Sequence, residues 1–173
     1  GLAQLRTQYE TRSLPLLALP GRGDDLVPLA PIVEEFRARF QHVIVLGTGG
    51  SSLGGQTLVA LADSGIGQPQ GAPKLIFLDN IDPDTFDALH AAVDWRRAGL
   101  IAISKSGTTA ETLTQFLTLL PEFESKVGKD KLAEHVIAIT APAALSGIFN
   151  TFRLAAEQTD PARVTLIDSG MVS

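Results

Sequence analysis

Ile101-Ala102-Ile103-Ser104-Lys105-Ser106-Gly107-Thr108-Thr109-Ala110-Glu111-Thr112 opens as an apolar run and changes character at Ser104. Six of its last nine residues, Ser104, Lys105, Ser106, Thr108, Thr109 and Thr112, carry a hydroxyl or an ammonium group. Beyond them Leu113, Phe116, Leu117 and Leu120 recur at three- and four-residue spacing, which predicts a helix to about Leu120. The hydroxyls therefore fall on a turn between a buried strand and a helix N-terminus. There the first N–H groups have no partner in the helix, and the positive end of its dipole faces outward. A phosphate suits such a place. An ordinary N-cap needs one Ser or Thr, and five hydroxyls at one strand end exceed that need.

Upstream, Val43-Ile44-Val45-Leu46 is a β-branched run that ends in glycine and reads as a fully buried parallel strand. Gly47-Thr48-Gly49-Gly50-Ser51-Ser52-Leu53-Gly54-Gly55 follows, then a helix from about Ser52 to Ala62. Further strands are predicted at Leu75–Leu78, Leu100–Ile103, His135–Thr140 and Arg163–Ile167. Helices are expected from Asp24 or Asp25, as cap, to about Phe40 along an Ile32, Val33, Phe36, Phe40 stripe. Others run from Asp82-Pro83 to about Ala92 and from Leu145 to Ala156, with a short helical turn from Lys129 to Glu134. Leu2, Leu5 and Tyr9 could line a short helix, whereas Leu14–Gly21, with two prolines and a glycine, breaks regular structure. Residues 1–25 read as an N-terminal extension packed on a domain formed by residues 26–173.

Strands alternating with helices specify an α/β three-layer αβα sandwich around a five-stranded parallel sheet. In the flavodoxin-like order, 2-1-3-4-5, the first and third strands are neighbours, and the chain leaves them toward opposite faces. Ligands bind in the crevice at that switch point. The two loops richest in Gly, Ser and Thr follow these two strands, so this topology sets both anion loops side by side.

The totals narrow the function. In 173 residues the apolar share is 45% and the charged share 19%, as in a globular domain. With a net charge of −5 and no Lys/Arg cluster, nucleic acid is not an expected partner. No cysteine is present, which excludes disulfides and thiolate metal sites. No run has the length of a membrane span, and no signal peptide is visible, so a cytoplasmic location and no membrane partner are expected. The start at Gly1 reads as the trimmed start of a longer chain.

The glycine loop is neither of the two common nucleotide motifs. Gly-x-Gly-x-x-Gly from Gly47 needs glycine where Ser52 stands, and a P-loop needs a lysine that does not occur between Gly47 and Lys74. What remains is a turn that lets backbone approach a ligand closely, with Ser51 and Ser52 at the helix start. His42, His90 and His135 fall at strand starts or a helix end, away from the crevice, and no pair has metal-ligand spacing. Asp79, Asp82 and Asp84 follow the second strand without a carboxylate partner for acid–base work; capping accounts for Asp82. Lys105 is either a point charge toward the phosphate or a solvated lysine. Glu111, in a helix's first turn, complements the dipole.

Val43 to Gly54 and Ser104 to Thr112 resemble the two signature loops of the glucose-6-phosphate isomerase family, in its first sugar isomerase (SIS) domain, and the Asp79-Asn80-Ile81-Asp82-Pro83 turn also fits. Thr48 stands where that family usually has isoleucine, and Ala141 to Ser173 carries no recognisable family motif. The resemblance implies interconversion of glucose 6-phosphate and fructose 6-phosphate, in glycolysis and gluconeogenesis, with no metal or organic cofactor. By position it implies that Ser104, Ser106, Thr109 and Thr112 contact phosphate, with Lys105, Gly107 and Thr108 lining the loop. Gly50 and Ser51 contact the sugar phosphate from the first loop. It also implies a homodimer as the full-length protein, because one catalytic histidine comes from the other subunit. The family's glutamate, histidine, lysine and arginine of catalysis lie later in the chain, so the catalytic residues are unknown here and this stretch alone is expected to be inactive. A stand-alone SIS module that senses a sugar phosphate without catalysis is the alternative.

Overall fold

The computed structural model describes residues 1–21, 23–24, 26–63, 71–106, 109–140 and 166–168. The chain divides into two compact units, 1–38 and 39–173. In the first, Leu2, Leu5 and Tyr9 lie on a short helix as their spacing predicts, α1 (Leu2–Glu10), which has no buried residue. Pro15–Gly21 forms 3-10 turns where the two prolines predict a break. A further 3-10 turn, Val27–Leu29, precedes α2 (Ala30–Arg39), so that helix begins later than an Asp24 or Asp25 cap would place it. Of the expected stripe, Val33 is exposed.

The second unit is built on a parallel sheet. Its strands are β1 (His42–Leu46), β2 (Lys74–Leu78), β3 (Ala98–Ser104) and β4 (Val136–Thr140). β1 pairs with β2 on one side and β3 on the other, in the register Leu46 to Leu78 and Leu46 to Ala102; β4 pairs with β3, Ser104 opposite Thr140. The short segment β5 (Leu166–Asp168) runs parallel beside β4. The rest of the strand predicted there, and the helix predicted over Leu145–Ala156, lie outside the described residues. Between the strands run α3 (Gly50–Ala62), α4 (Pro83–Ala92) and α5 (Ala110–Val127). Among the described residues no helix is long and apolar enough to cross a membrane.

The core joins Ile44, Leu46, Leu78, Leu100 and Ala102 of the strands to Phe86, Leu89, Trp95, Leu119 and Phe123 of the connecting segments. The apolar strand residues point to both faces of a sheet that needs cover on each, which is why these strands are continuous runs rather than alternating ones.

α4 starts where the Asp-Pro pair predicts, with Pro83 at the first helical position. The Asp82 side chain does not cap a backbone N–H; its carboxylate accepts from the Thr85 hydroxyl at 2.8 Å. α5 departs further from expectation, for it passes through Pro121 and ends at Val127. A proline inside a helix costs about 3 kcal/mol. Phe123, fully buried and edge-to-face with Trp95 at 5.2 Å, offsets that cost. Burial of its ring contributes about 1.5–3 kcal/mol and the aromatic pair about 0.5–1.5 more. Gly128, at a φ of 86°, then ends the helix.

Below the sheet, at the strand starts, His135 is buried between Phe40 and Phe123, at 5.0 and 6.0 Å between ring centroids. Its Nδ1–H donates to the Ala98 carbonyl at 2.8 Å. Burial pushes its pKa below the ordinary 6.5, against the pull of that hydrogen bond; the nearby Arg39 guanidinium lowers it further and the Glu134 carboxylate partly opposes this. The folded chain thus takes up this proton less readily than the unfolded chain. The resulting stability is present above pH 6.5 and is lost as pH falls from there toward the lowered folded pKa. Melting temperatures measured between about pH 7.5 and 5.5 are expected to fall more steeply for the wild type than for His135→Phe. Parallel slopes would remove His135 as the source.

Candidate functional site

β1 and β3 lie side by side, and each carries its loop at the C-terminal end of the sheet. The chain leaves β1 through α3 toward β2, and leaves β3 through α5 toward β4, in the opposite direction along the sheet. With right-handed crossovers the two helices flank opposite faces, and their N-termini open on one crevice.

The first loop is held tightly against the second strand end. A Cβ on Gly47 would stand 2.9 Å from the Ser51 Cβ and 3.2 Å from the Ile103 carbonyl oxygen, so no side chain fits there. Gly47 N–H donates to the Leu78 carbonyl at 3.3 Å, which anchors the loop across β2 as well. Gly49 adopts a φ of 53° with ψ −125°, a conformation that glycine adopts at little cost. The loop then closes on itself: Ser51 N–H donates to the Thr48 carbonyl and Ser52 N–H to the Gly49 carbonyl. Those N–H groups are committed locally. From α3, the Gly50 N–H and the Ser51 hydroxyl are the groups left to consider for an anion.

On the second loop, Ser104 is the buried last residue of β3, and Lys105 and Ser106 are exposed after it. Gly107 and Thr108 lie outside the described residues. Thr109 occupies the N-cap position of α5, yet its side chain makes no capping hydrogen bond. Its hydroxyl instead lies 3.3 Å from Ser104 Oγ and 3.4 Å from Ser106 Oγ. Three hydroxyls thus gather at the mouth of α5, all able to donate or accept. Thr112, one turn into α5, is buried, and its Oγ1 has no hydrogen-bond partner among the described residues. Glu111 is exposed in the same first turn.

The described residues therefore bring Gly50, Ser51, Ser104, Lys105, Ser106, Thr109 and Thr112 to one end of β1 and β3. Hydroxyls, backbone N–H groups, two helix N-termini and a lysine suit an anion. Among the described residues no three His, Asp or Glu side chains cluster as a metal site would require.

Two polar side chains beside this site, Gln115 and Gln56, are not marked by hydropathy or motif, whereas Ser52 belongs to the glycine–serine loop at the start of α3. Gln115 is buried in α5 and reaches the end of β2. Ser52 is buried in α3, and Gln56 Nε2 donates to its Oγ at 2.7 Å and to Asp79 Oδ2 at 3.4 Å. An i, i+4 Ser–Gln pair on a glycine-rich helix is the local signal for Gln56.

Comparison with known proteins gives the following. A family model described as phosphoglucose isomerase matches residues 35–150. The glucose-6-phosphate isomerase of Carboxydothermus hydrogenoformans is 33% identical over 147 residues, 82% of this chain and 32% of that protein. The glucose-6-phosphate isomerase of Thermus thermophilus is 32% identical over 113 residues, 65% of this chain and 24% of that protein. Among solved structures, a glucose-6-phosphate isomerase from Chlamydia trachomatis superposes with a TM-score of 0.64 at 26% identity, covering 82% of this chain and 24% of that one. The chain thus spans about a third or less of the length of these relatives.

Proposed function

Since the chain belongs to the phosphoglucose isomerase family, we propose that it is the first SIS domain of a glucose-6-phosphate isomerase and holds the substrate's phosphate in the crevice between the two loops. In this reading the whole enzyme interconverts glucose 6-phosphate and fructose 6-phosphate as a homodimer, and residues 26–173 form the sugar-phosphate domain on a flavodoxin-like 2-1-3-4-5 sheet. Ser104, Ser106, Thr109 and Thr112, with the N–H groups opening α5, hold the phosphate. Lys105, Gly107 and Thr108 line it, and Gly50 and Ser51 approach from the first loop.

The observation that carries the reading is the convergence of the Ser104, Ser106 and Thr109 hydroxyls within 3.4 Å at the N-terminus of α5. The glycine loop is pressed against the same strand end. The role that follows for these residues is binding and orientation. The phosphate is fixed by neutral donors, and the sugar carbons are presented to acid–base groups elsewhere in the enzyme. Neutral donors suit a chain of net charge −5, because they hold an anion without concentrating positive charge.

Crystals grown with inorganic phosphate or glucose 6-phosphate test the placement. Density for the anion is expected between Gly49–Ser51 and Ser104–Thr109. An anion bound elsewhere, with this crevice closed by side chains, would overturn the reading.

A further inference from the structure

Leu78 ends β2, and its carbonyl oxygen accepts from two distant parts of the chain, Gly47 N–H at 3.3 Å and Gln115 Nε2 at 3.2 Å. The same Gln115 amide donates to the Asn80 carbonyl at 2.9 Å. One side chain therefore ties α5 to the end of β2 and, through the shared Leu78 oxygen, to the first residue of the glycine loop.

We propose that Gln115 is a positioning residue for the anion site, fixing the distance between the glycine loop and the hydroxyl loop. The inference rests on the proposed phosphate-binding role of those loops. Thr112 lies three residues before Gln115 and shares its face of α5, and Thr109 opens the same helix. A shift of the helix along the sheet would move both hydroxyls relative to Gly50 and Ser51. Ladder hydrogen bonds cannot resist such a shift, because α5 is not in the sheet. Two directional bonds from a fully buried amide can.

Core stability alone is a poor account of this residue. Among the described residues the Gln115 Oε1 is buried without a partner, which opposes folding. A methionine of the same reach would fill the volume without an unpaired oxygen. The amide's distinctive contribution is geometric.

Gln115→Met keeps length and volume and removes both donors. Its melting temperature is expected to equal or exceed that of the wild type, while calorimetric titration with inorganic phosphate gives about tenfold weaker binding. Gln115→Glu supplies a readout that packing would not move. When the introduced carboxyl is protonated it can donate one of the two bonds; when ionised it faces two carbonyl oxygens and is repelled. Its phosphate affinity, divided by that of the wild type at the same pH, is therefore expected to rise on acidification. Wild-type affinity in a folded Gln115→Met overturns the inference, as does a pH-independent ratio for Gln115→Glu. A wild-type chain that binds no phosphate would instead remove the functional reading on which the inference stands.

Discussion

Given glucose 6-phosphate in a coupled assay, the 173-residue chain is expected to bind it and to yield no measurable fructose 6-phosphate. Moving a proton between adjacent carbons requires a positioned base, a group to open the ring and a cation to stabilise the enediolate. Of these the described crevice provides little. Its ionisable side chains are Lys105 and Glu111, both exposed, with Glu111 on the first turn of α5. Asp79, at the end of β2, is engaged by the Gln56 amide. Acid–base catalysis contributes about 10²–10⁴ in rate, and one electrostatic donor about 10²–10³. Lacking both, the chain should fall at least ~10⁴-fold below a full-length family member assayed beside it. Family-like turnover from the purified chain would mean that the acid–base groups lie within these residues.

Thr109→Val is expected to weaken sugar-phosphate binding by roughly 10- to 150-fold and to leave the fold intact. Hydrogen bonds to a charged group are worth about 1.5–3 kcal/mol each, and that range sets the fold-change. Valine keeps the branched shape and removes the hydroxyl that lies between Ser104 and Ser106. A capping threonine would also lose about 1 kcal/mol of stability on such a change. Here the Thr109 side chain caps no backbone N–H, so the melting temperature should change little. Titration calorimetry paired with thermal melts reads both quantities. Unchanged affinity in a folded variant would remove Thr109 from the site.

The strands were legible because parallel strands covered on both faces are apolar throughout; Val43–Leu46 and Leu100–Ile103 need no partner information to be recognised. The start of α4 was legible because Asp82-Pro83 is a local signal. α5 departs from its local sequence pattern where tertiary contacts decide. The spacing ends it at about Leu120, before Pro121, because nothing local reveals that Phe123 packs on Trp95. The spacing of Leu113, Phe116, Leu117 and Leu120 predicts the helix itself, and of these Phe116 packs against the core. The buried residues are Thr112, Gln115, Leu119 and Phe123, while Leu113 and Leu117 are 36% and 56% exposed. Two of the four are polar, and hydropathy cannot show that Gln115 finds the Leu78 and Asn80 carbonyls. The candidate site was legible as composition, five hydroxyls where one would cap a helix. The local closure of the first loop, with Ser51 and Ser52 N–H bonded to Thr48 and Gly49, was not, because it depends on the Gly49 backbone conformation.

The pairing of β1 with β3 also sets an order of events during synthesis. β1 emerges first, but its neighbour on the site side is separated from it by α3, β2 and α4. Until Ser104 and the opening turns of α5 have left the ribosome, the glycine loop lacks the β3 end it packs against and Leu78 has no Gln115 to bind. Such non-local parallel pairing forms slowly, because chain closure precedes the contacts that reward it. A nascent chain halted between β2 and β3 would display both apolar strands with an open edge, a surface prone to aggregation. The same adjacency that creates the crevice thus leaves the first half of this domain with an unpaired strand edge until the second half arrives.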